Sequence, residues 1–312
     1  ISRIIKLQIF GVFMRKIKII TDSTSDLNEE HYKMLDAEIL SLGVNFGEIH
    51  YVDRVDITTE EIYKKVKETN KLPKTNAVNV GEMLVSFEKY LKNNEDIIFV
   101  PISSKMSSNY NNALFAKEEL EKEYGDHIRV LDSGSLSSGI GLQLFAIKKD
   151  IDDGKTLDEV YELAVERTKR VNAEFVVDTM EYLYKGGRCN GLSYFFGKNF
   201  HLHPVILVQN GNMVVHKITR GNLNRGVDFQ VEEFKKCLDE DNVILDHIFV
   251  THSGVEGQDK YMLDKVTSLL KDPSIVEITR AGSIVASHCG PGTIGLLYIC
   301  LLYTSPSPRD CS

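Results

Sequence analysis

The sequence predicts an α/β protein of two domains: an N-terminal domain with a doubly wound, mostly parallel sheet and a C-terminal mixed α/β domain. Its 312 residues are enough for two domains of ordinary size. As far as about residue 170, short apolar runs alternate with longer amphipathic segments, which is typical of a parallel sheet covered by helices on both faces. Beyond that point an Asn-Gly pair between two apolar runs predicts a hairpin and therefore a mixed sheet.

The N-terminal half carries boundary signals for its helices. Thr58 and Glu61 have the spacing of a capping box, and Gly125 and Gly154 stand where two amphipathic runs end. The predicted helices are 57–70, 81–94, 111–125, 138–154 and 156–170. The predicted strands, which are short apolar runs, are 17–22, 96–102 and 128–133.

The C-terminal half predicts a different order of elements. A hairpin is expected over 203–220 around Asn210-Gly211, and 173–179 is either a short strand or the lead into a helix. Further helices are predicted at 226–240 and 257–272, one strand at 247–253, and two strands within 274–288 that are broken near Gly282. We expect a domain boundary after residue 172, which gives an N-terminal domain of residues 14–172 and a C-terminal domain of residues 173–301.

Both ends of the chain differ from its body. Residues 1–13 are basic and apolar, lack a small-residue cleavage site and precede Met14, so we expect Met14 to be the natural start. The segment "LLYTSPSPRDCS" changes composition abruptly after an apolar stretch. We expect 1–13 and 302–312 to be non-native extensions and leave them out of the fold prediction.

Composition excludes several classes of protein. The net charge is −8, from 45 acidic and 37 basic residues, whereas nucleic-acid binding needs a basic face. No apolar run approaches the length of a membrane helix, so stable membrane insertion is not expected. The five cysteines are scattered without a Cys-x-x-Cys pair, which indicates neither a zinc site nor a disulfide framework and fits a reducing cytoplasm.

Three segments of the first half, 19–27, 99–113 and 130–141, share one layout: a β-type run, a cluster of Ser, Thr or Asn, and then a helix. Ligands of doubly wound sheets bind beyond the carboxyl ends of the strands, where helix N-termini favour anions. The three clusters therefore predict a carboxylate or phosphate held by neutral donors. The alternative is that these residues only cap their helices.

Two further groups of residues could meet the same anion. His288 lies beside a Gly-Pro-Gly turn in "SHCGPGTIG", where it either donates a hydrogen bond to a ligand or is a buried, satisfied histidine. Lys185 and Arg188 surround two glycines, and Lys217 and Arg220 follow in the hairpin; the alternative for each pair is a solvated turn. A serine nucleophile is also conceivable, although the chain has no Gly-x-Ser-x-Gly elbow.

Taken in order over residues 16–300, six segments resemble the motifs of the DegV family of bacterial fatty-acid-binding proteins. They are "TDSTSDL", "KTNAVNVGEM", "ISSKMSSNY", "VLDSGSLSSGIG", "DTMEYLYKGGRCN" and "SHCGPGTIG". The resemblance implies that one long-chain fatty acid is bound between two α/β domains. It assigns the carboxylate to Thr75, Ser107 and His288, with Asn109 assisting and Arg220 near the headgroup. Around them it implies a secondary polar site of Ser104, Ser108 and Asn76.

The resemblance also implies a role without catalysis. In one branch of the family, a separate kinase subunit uses ATP and magnesium to phosphorylate the bound fatty acid, and the acyl phosphate enters phospholipid synthesis. The binding protein then needs no catalytic residue, metal or cofactor, and this chain has no Gly-x-x-x-x-Gly-Lys-Ser/Thr loop. Two alternatives stay open: a serine hydrolase of lipid esters that uses Ser107 with His288, and a binding module for another small anion.

The chain departs from the family pattern at two positions. Ser108 replaces a glycine, which predicts backbone strain if a positive φ is required there, and Asn76 replaces a hydroxyl residue. The apolar segments 192–197 and 141–147 either line the tunnel for the acyl chain or belong to the ordinary core.

Overall fold

The computed structural model describes residues 14–189 and 201–302. The expected extension 1–13, most of the extension 302–312 and the possible tunnel segment 192–197 lie outside the described residues. The strands in chain order are β1 (Ile17–Asp22), β2 (Ala37–Leu40), β3 (Gly43–Phe46), β4 (Ile49–Val52), β5 (Lys74–Asn76), β6 (Asp96–Val100), β7 (Ile128–Val130), β8 (Val171–Val176), β9 (Leu202–Gln209), β10 (Asn212–Arg220), β11 (Val243–His252), β12 (Val276–Arg280) and β13 (Ile294–Cys300). The helices are α1 (Glu29–Leu35), α2 (Thr59–Thr69), α3 (Val80–Leu91), α4 (Asn109–Tyr124), α5 (Ser138–Asp152), α6 (Leu157–Thr168), α7 (Glu181–Gly186), α8 (Asn224–Asp239), α9 (Gln258–Thr267) and α10 (Ser283–Cys289).

The N-terminal half contains a four-stranded parallel sheet in the order β2-β1-β6-β7. Strands β1 and β6 are buried almost throughout, which explains why they read as continuous apolar runs. A small antiparallel sheet in the order β4-β3-β5 lies beside it and was not predicted from the sequence. The mostly parallel character expected for this half is confirmed.

The C-terminal half is built on a six-stranded mixed sheet in the order β10-β9-β8-β13-β11-β12. Only β11 and β12 pair in parallel within it. The predicted hairpin is present, and its turn residues Asn210 and Gly211 have φ of 50° and 77°, the positive values that a two-residue hairpin turn requires. The predicted mixed sheet is therefore confirmed.

One of the two strands predicted within 274–288 is wrong. The first is β12, but the residues after Gly282 form helix α10. Its apolar residues Ile284, Val285 and Ala286 are all buried, so both sides of this short helix are apolar. A short apolar run of this kind shows no helical periodicity, and tertiary packing then decides its conformation.

Helix α5 lies between the two large sheets. Its residues Leu144 and Ile147 belong to one hydrophobic cluster together with Ile19 of the parallel sheet and Phe175 of the mixed sheet. The segment 141–147 is therefore core between the sheets. Because the two halves share this cluster, the domain division after residue 172 stays a prediction. None of the helices within 14–189 and 201–302 has both the length and the apolar character needed to cross a membrane.

Two buried carboxylates bind backbone groups across the ends of these elements. Asp22, at the end of β1, accepts hydrogen bonds from the Ile102 N–H (2.9 Å) and from the Asn109 amide (2.7 Å). Asp26 accepts from the Gly282 N–H (2.8 Å) at the start of α10 and from the Ser137 hydroxyl (2.5 Å). Burial raises the pKa of Asp22, and it raises the pKa of Asp26 to about 7.

The Asp26→Asn substitution is expected to remove one source of pH-dependent stability. Since the folded protein keeps the Asp26 proton up to about pH 7 and the unfolded chain loses it near pH 4, the wild-type fold loses stability as pH rises between these values. Between these pH values, the free energy of unfolding of the wild-type protein is expected to fall by on the order of 1 to 4 kcal/mol more than that of the variant. Urea unfolding of both proteins across this pH range measures it, and a stability difference that is constant with pH would contradict the assignment.

Candidate functional site

A cavity of about 140 Å³ lies where β5, the loop before α4 and helix α10 meet. Its polar lining residues are Thr75, Asn76, Ser107, Ser108, Arg188 and His288. Its apolar lining residues are Leu42, Ala77, Ile102, Met106, Leu136, Met213, Ile284, Val285 and Cys289. The cavity therefore combines a small set of hydrogen-bonding groups with a mostly hydrocarbon wall, as ligand sites usually do.

Thr75 and His288 bring the two halves of the protein into contact at this cavity. The Thr75 Oγ1 lies 2.9 Å from the His288 Nε2. Burial, and then the positive charge of Arg188, lower the pKa of His288 to about 4, so its ring is neutral at physiological pH. The His288 Nδ1 is buried and has no hydrogen-bond partner among the described residues. A neutral imidazole has one N–H to donate, so His288 is suited to hydrogen bonding without adding charge.

Glycines hold the His288 ring in position. A Cβ on Gly186, at the end of α7, would lie 2.6 Å from the His288 Nδ1, so the ring packs directly on the backbone there. Gly290 and Gly292 follow α10 with φ of 77° and 76°. A Cβ on Gly290 would lie 2.7 Å from the ring of Tyr182. The glycines of both motifs singled out from the sequence are thus required by close packing and positive φ.

Ser107 and Ser108 place hydroxyl groups at the N-terminus of α4. The Ser107 Oγ accepts from the Asn109 N–H at 3.3 Å, which leaves its hydroxyl hydrogen available to a ligand. The first turn of α4 contains no acidic residue, and Ser107 and Ser108 at its N-terminus line the cavity, so the positive end of the helix lies close to it. Ser108 has φ of −79°, so the positive φ that would have strained a serine in place of glycine is not required here.

Three residues that the sequence assigned to the headgroup or to its surroundings do not line the cavity. The fully buried Asn109 amide donates to Asp22 and accepts from the Val78 N–H, so it positions the loop. The Ser104 hydroxyl donates to Asp132. Arg220 is exposed at the end of β10, seven positions beyond the lining residue Met213, a separation of about 23 Å along a strand.

The prediction that three hydroxyl clusters converge on one anion is also wrong. The first cluster is bonded within itself and to its neighbours, since Thr24 donates to Asp22 and Ser25 contacts the Tyr32 hydroxyl at 2.8 Å. In the third cluster Ser137 donates to Asp26 and Ser138 contacts Thr251. Among the three clusters, all of which lie within the described residues, only the one within 99–113 brings hydroxyl side chains to the cavity, because buried carboxylates already occupy many of the other donors.

Arg188 is the charged residue at the cavity that the sequence left between two interpretations. It is exposed, and one of its guanidinium N–H groups donates to the Gly186 carbonyl at 2.5 Å. It thus places a positive charge beside neutral donors. The apolar wall could not be identified from the sequence, because residues such as Leu42 and Met213 come from separate loops and strands without a common motif.

The apolar wall continues into the protein. Leu136, Val285 and Cys289 line both this cavity and a second one of about 20 Å³, whose lining includes Phe175 and Leu297 of the mixed sheet. The Ser253 and Thr293 hydroxyls also line the second cavity, but both donate their hydrogen bonds to backbone carbonyls. The three shared residues therefore stand between the polar mouth and a small apolar cavity next to the mixed sheet.

Comparison with protein families gives a match over residues 16–300 to a family described as uncharacterised proteins of the DegV family. A DegV domain-containing protein of Clostridium acetobutylicum is 30% identical over 296 residues, which cover 92% of this chain and 99% of the relative. One from Clostridium perfringens is 30% identical over 284 residues, which cover 90% of this chain and 98% of the relative.

Solved structures share the fold. A fatty-acid-binding DegV family protein from Thermus thermophilus matches with a TM-score of 0.81 at 26% identity, covering 92% of this chain and 100% of its own. A stearic-acid-binding protein from Eubacterium ventriosum matches with a TM-score of 0.79 at 27% identity, covering 92% of this chain and 98% of its own. The predicted α/β fold agrees with these proteins.

The Gly186→Ala substitution is expected to displace the His288 ring and break its hydrogen bond to Thr75. The added methyl group would lie 2.6 Å from Nδ1, closer than a Cβ can approach, and overpacking of this kind costs about 1 to 3 kcal/mol. A crystal structure of the variant gives the distance between Thr75 Oγ1 and His288 Nε2. Lys185→Ala, an exposed change in the same helix, is the control; an unmoved ring in the Gly186 variant would show that the contact does not position His288.

Proposed function

Because the chain belongs to the DegV family, we propose that it binds one long-chain fatty acid, with the carboxylate held by Thr75, Ser107 and His288. The observation that carries this proposal is that neutral donors from three separate elements line the mouth of a largely apolar cavity. In this proposal the acyl chain extends past Leu136 and Val285, which line both apolar cavities, and displaces them to reach the space between the two sheets.

Physical chemistry favours a buried hydrocarbon chain with its carboxylate at the polar mouth of the cavity. Each buried CH₂ group contributes about 0.8 kcal/mol, so the hydrocarbon chain supplies most of the binding free energy. An isolated carboxylate is strongly disfavoured in an apolar site unless hydrogen-bond donors meet it. Hydroxyl groups, a neutral imidazole and the N-terminus of α4 supply donors without a clamping cation, while Arg188 adds positive charge from the exposed side.

We also propose that this arrangement presents the fatty acid to a separate, ATP-dependent kinase subunit. Asn76, Ser108 and Arg188 line the cavity and are exposed, so the carboxylate end faces solvent and the hydrocarbon end does not. A headgroup held by neutral donors keeps an oxygen free to attack ATP. In this proposal the protein is a non-catalytic carrier, the kinase forms the acyl phosphate for phospholipid synthesis, and the reaction takes place in the cytoplasm.

Two other functions are less compatible with the geometry. A serine hydrolase needs a histidine that is bonded to the serine and oriented by a third group. Here the His288 Nε2 contacts Thr75, and its Nδ1 has no partner in the part of the chain that the structure describes. A small phosphorylated metabolite has no hydrocarbon part to pack against the apolar wall of the cavity. Labelling of Ser107 by a fluorophosphonate would favour the hydrolase.

Ser107→Ala, Thr75→Val and His288→Ala are each expected to weaken fatty-acid binding by about 10- to 100-fold, since a hydrogen bond to a charged group is worth about 1.5 to 3 kcal/mol. His288→Gln keeps a neutral donor and is expected to retain more affinity than His288→Ala. Isothermal titration with oleate and stearate measures the changes. Ser268→Ala, which alters an exposed hydroxyl directly after α9, is the matched control.

Mass spectrometry of ligand extracted from the purified protein tests the proposal independently of any variant. We expect a long-chain fatty acid, whereas a phosphorylated compound in its place would overturn the proposal.

The Arg220→Ala variant tests whether Arg220 contacts the carboxylate, as the family resemblance implies, or lies away from it, as in this structure. Because Arg220 does not line the cavity, its removal is expected to leave fatty-acid affinity unchanged.

Presentation to a kinase predicts variants that bind lipid normally but support less phosphorylation. Lys185 is exposed next to Gly186, on the surface beside His288, and does not line the cavity. Lys185→Glu is expected to lower acyl-phosphate formation several-fold at saturating oleate while leaving oleate affinity unchanged. Purified fatty-acid kinase subunit, ATP and Mg²⁺ are supplied, and hydroxylamine traps the product as a hydroxamate. Absence of product with the loaded wild-type protein would count against the carrier role.

A further inference from the structure

A separate cleft of about 610 Å³ lies beside helix α8, on the face of the mixed sheet that packs against this helix. It shares no lining residue with the fatty-acid cavity. Its lining includes two cysteines and a tyrosine: Cys237 near the end of α8, and Tyr298 and Cys300 near the end of β13. Tyr298 and Cys300 are two positions apart on one strand, so their side chains lie on the same face of the sheet.

Backbone and side-chain hydrogen bonds connect the two segments that carry these cysteines. The Asn242 N–H donates to the Cys237 carbonyl at 2.8 Å, and the Leu301 N–H donates to the Asn242 carbonyl at 3.2 Å. Asn242 thus ties the residue after Cys300 to the end of α8. The Tyr298 hydroxyl lies 3.5 Å from the Cys237 sulfur and donates to it, so Cys237 meets the face of β13 that also carries Cys300.

This arrangement distinguishes Cys237 from the other described cysteines. The Cys300 thiol and then the Tyr298 hydroxyl hold the pKa of Cys237 below its ordinary value, although burial and the nearby carboxylates of Glu233 and Glu240 oppose the shift. Cys237 is partly exposed to the cleft. Cys189 and Cys289 are buried, and burial raises the pKa of both thiols, which makes them unreactive.

We propose that Cys237 and Cys300 form a thiol modification site that hydrogen peroxide or a related hydroperoxide converts into an intramolecular disulfide. The Cys237 sulfur attacks one peroxide oxygen, the O–O bond breaks, and the other oxygen leaves as water after taking a proton. The Cys300 sulfur then attacks the Cys237 sulfenic acid, the S–O bond breaks, and the hydroxyl leaves as water with the Cys300 proton. In sum, two thiols lose two hydrogens and one peroxide becomes two waters.

The site is independent of fatty-acid binding. Gly295 and Leu297 of β13 border the inner apolar cavity, whereas Cys300 lies at the opposite end of that strand. The disulfide would join the end of α8 to the end of β13 without contacting the cavity at Thr75 and His288. Oxidation is therefore expected to leave oleate affinity unchanged, and failure of one proposal does not decide the other.

Peroxide treatment of the folded protein tests the proposal. A Cys311→Ser background removes the cysteine that lies outside the described residues. Intact mass is expected to fall by two hydrogen atoms, and peptide mapping is expected to give a Cys237–Cys300 crosslink. Cys300→Ser should stop at a Cys237 sulfenic acid that dimedone traps, while Cys237→Ser should give neither product.

Alkylation by iodoacetamide measures reactivity without oxidation. Cys237 is expected to react about tenfold faster than Cys189 or Cys289 in the folded protein. Tyr298→Phe removes one donor and is expected to move the pH–rate profile of Cys237 to higher pH. Equal alkylation of the three cysteines in the wild-type protein, or a peroxide product that lacks the Cys237–Cys300 crosslink, would overturn the proposal even if a variant failed to fold.

Discussion

The buried carboxylate of Asp22 is the interaction on which the candidate lipid site depends. It lies at the end of a central strand and accepts hydrogen bonds from the Ile102 backbone and the Asn109 side chain, on both sides of the loop that carries Ser107. A buried acid is tolerated only when its oxygens are satisfied, so these contacts constrain the loop strongly. Ser107 is thereby fixed in place before any ligand arrives, which lowers the entropic cost of binding.

A related constraint joins the two halves of the protein. The first N–H groups of α10 are bound by two carboxylates of the N-terminal half, Gly282 by Asp26 and Ser283 by Asp53. The acidic groups also complement the positive end of that helix. His288 lies in the last turn of α10, and its hydrogen bond to Thr75 crosses between the halves a second time. The candidate headgroup site is therefore composed of residues from both halves.

Sequence patterns anticipated the parts of this structure that local chemistry controls. The capping box at Thr58 and Glu61, the helix end at Gly125 and the Asn210-Gly211 turn are all present where predicted. Each depends on a residue type within a few positions of the feature it specifies. Helix α10 and the small β4-β3-β5 sheet were not anticipated, because burial by distant elements decides their conformation.

The same distinction explains which of the predicted site residues line the cavity. Thr75, Ser107 and His288 line one cavity, as the motifs suggested, but Asn109 does not, although it is only two residues from Ser107. Two positions along a helix rotate the side-chain direction by about 200°, so the Asn109 side chain points away from the one at Ser107. Sequence identifies a polar cluster, but it does not tell which member a buried Asp22 has already engaged.

The contact between Thr75 and His288 has a thermodynamic consequence for any carboxylate that binds here. Since these groups are already bonded to each other, an incoming acid must compete for them, and the net gain at the headgroup is the difference between the hydrogen bonds that it forms and the one that is lost. Affinity then rises mainly with the length of the hydrocarbon chain. Such a protein releases its cargo readily to another apolar phase, whereas a short-chain acid would scarcely occupy it.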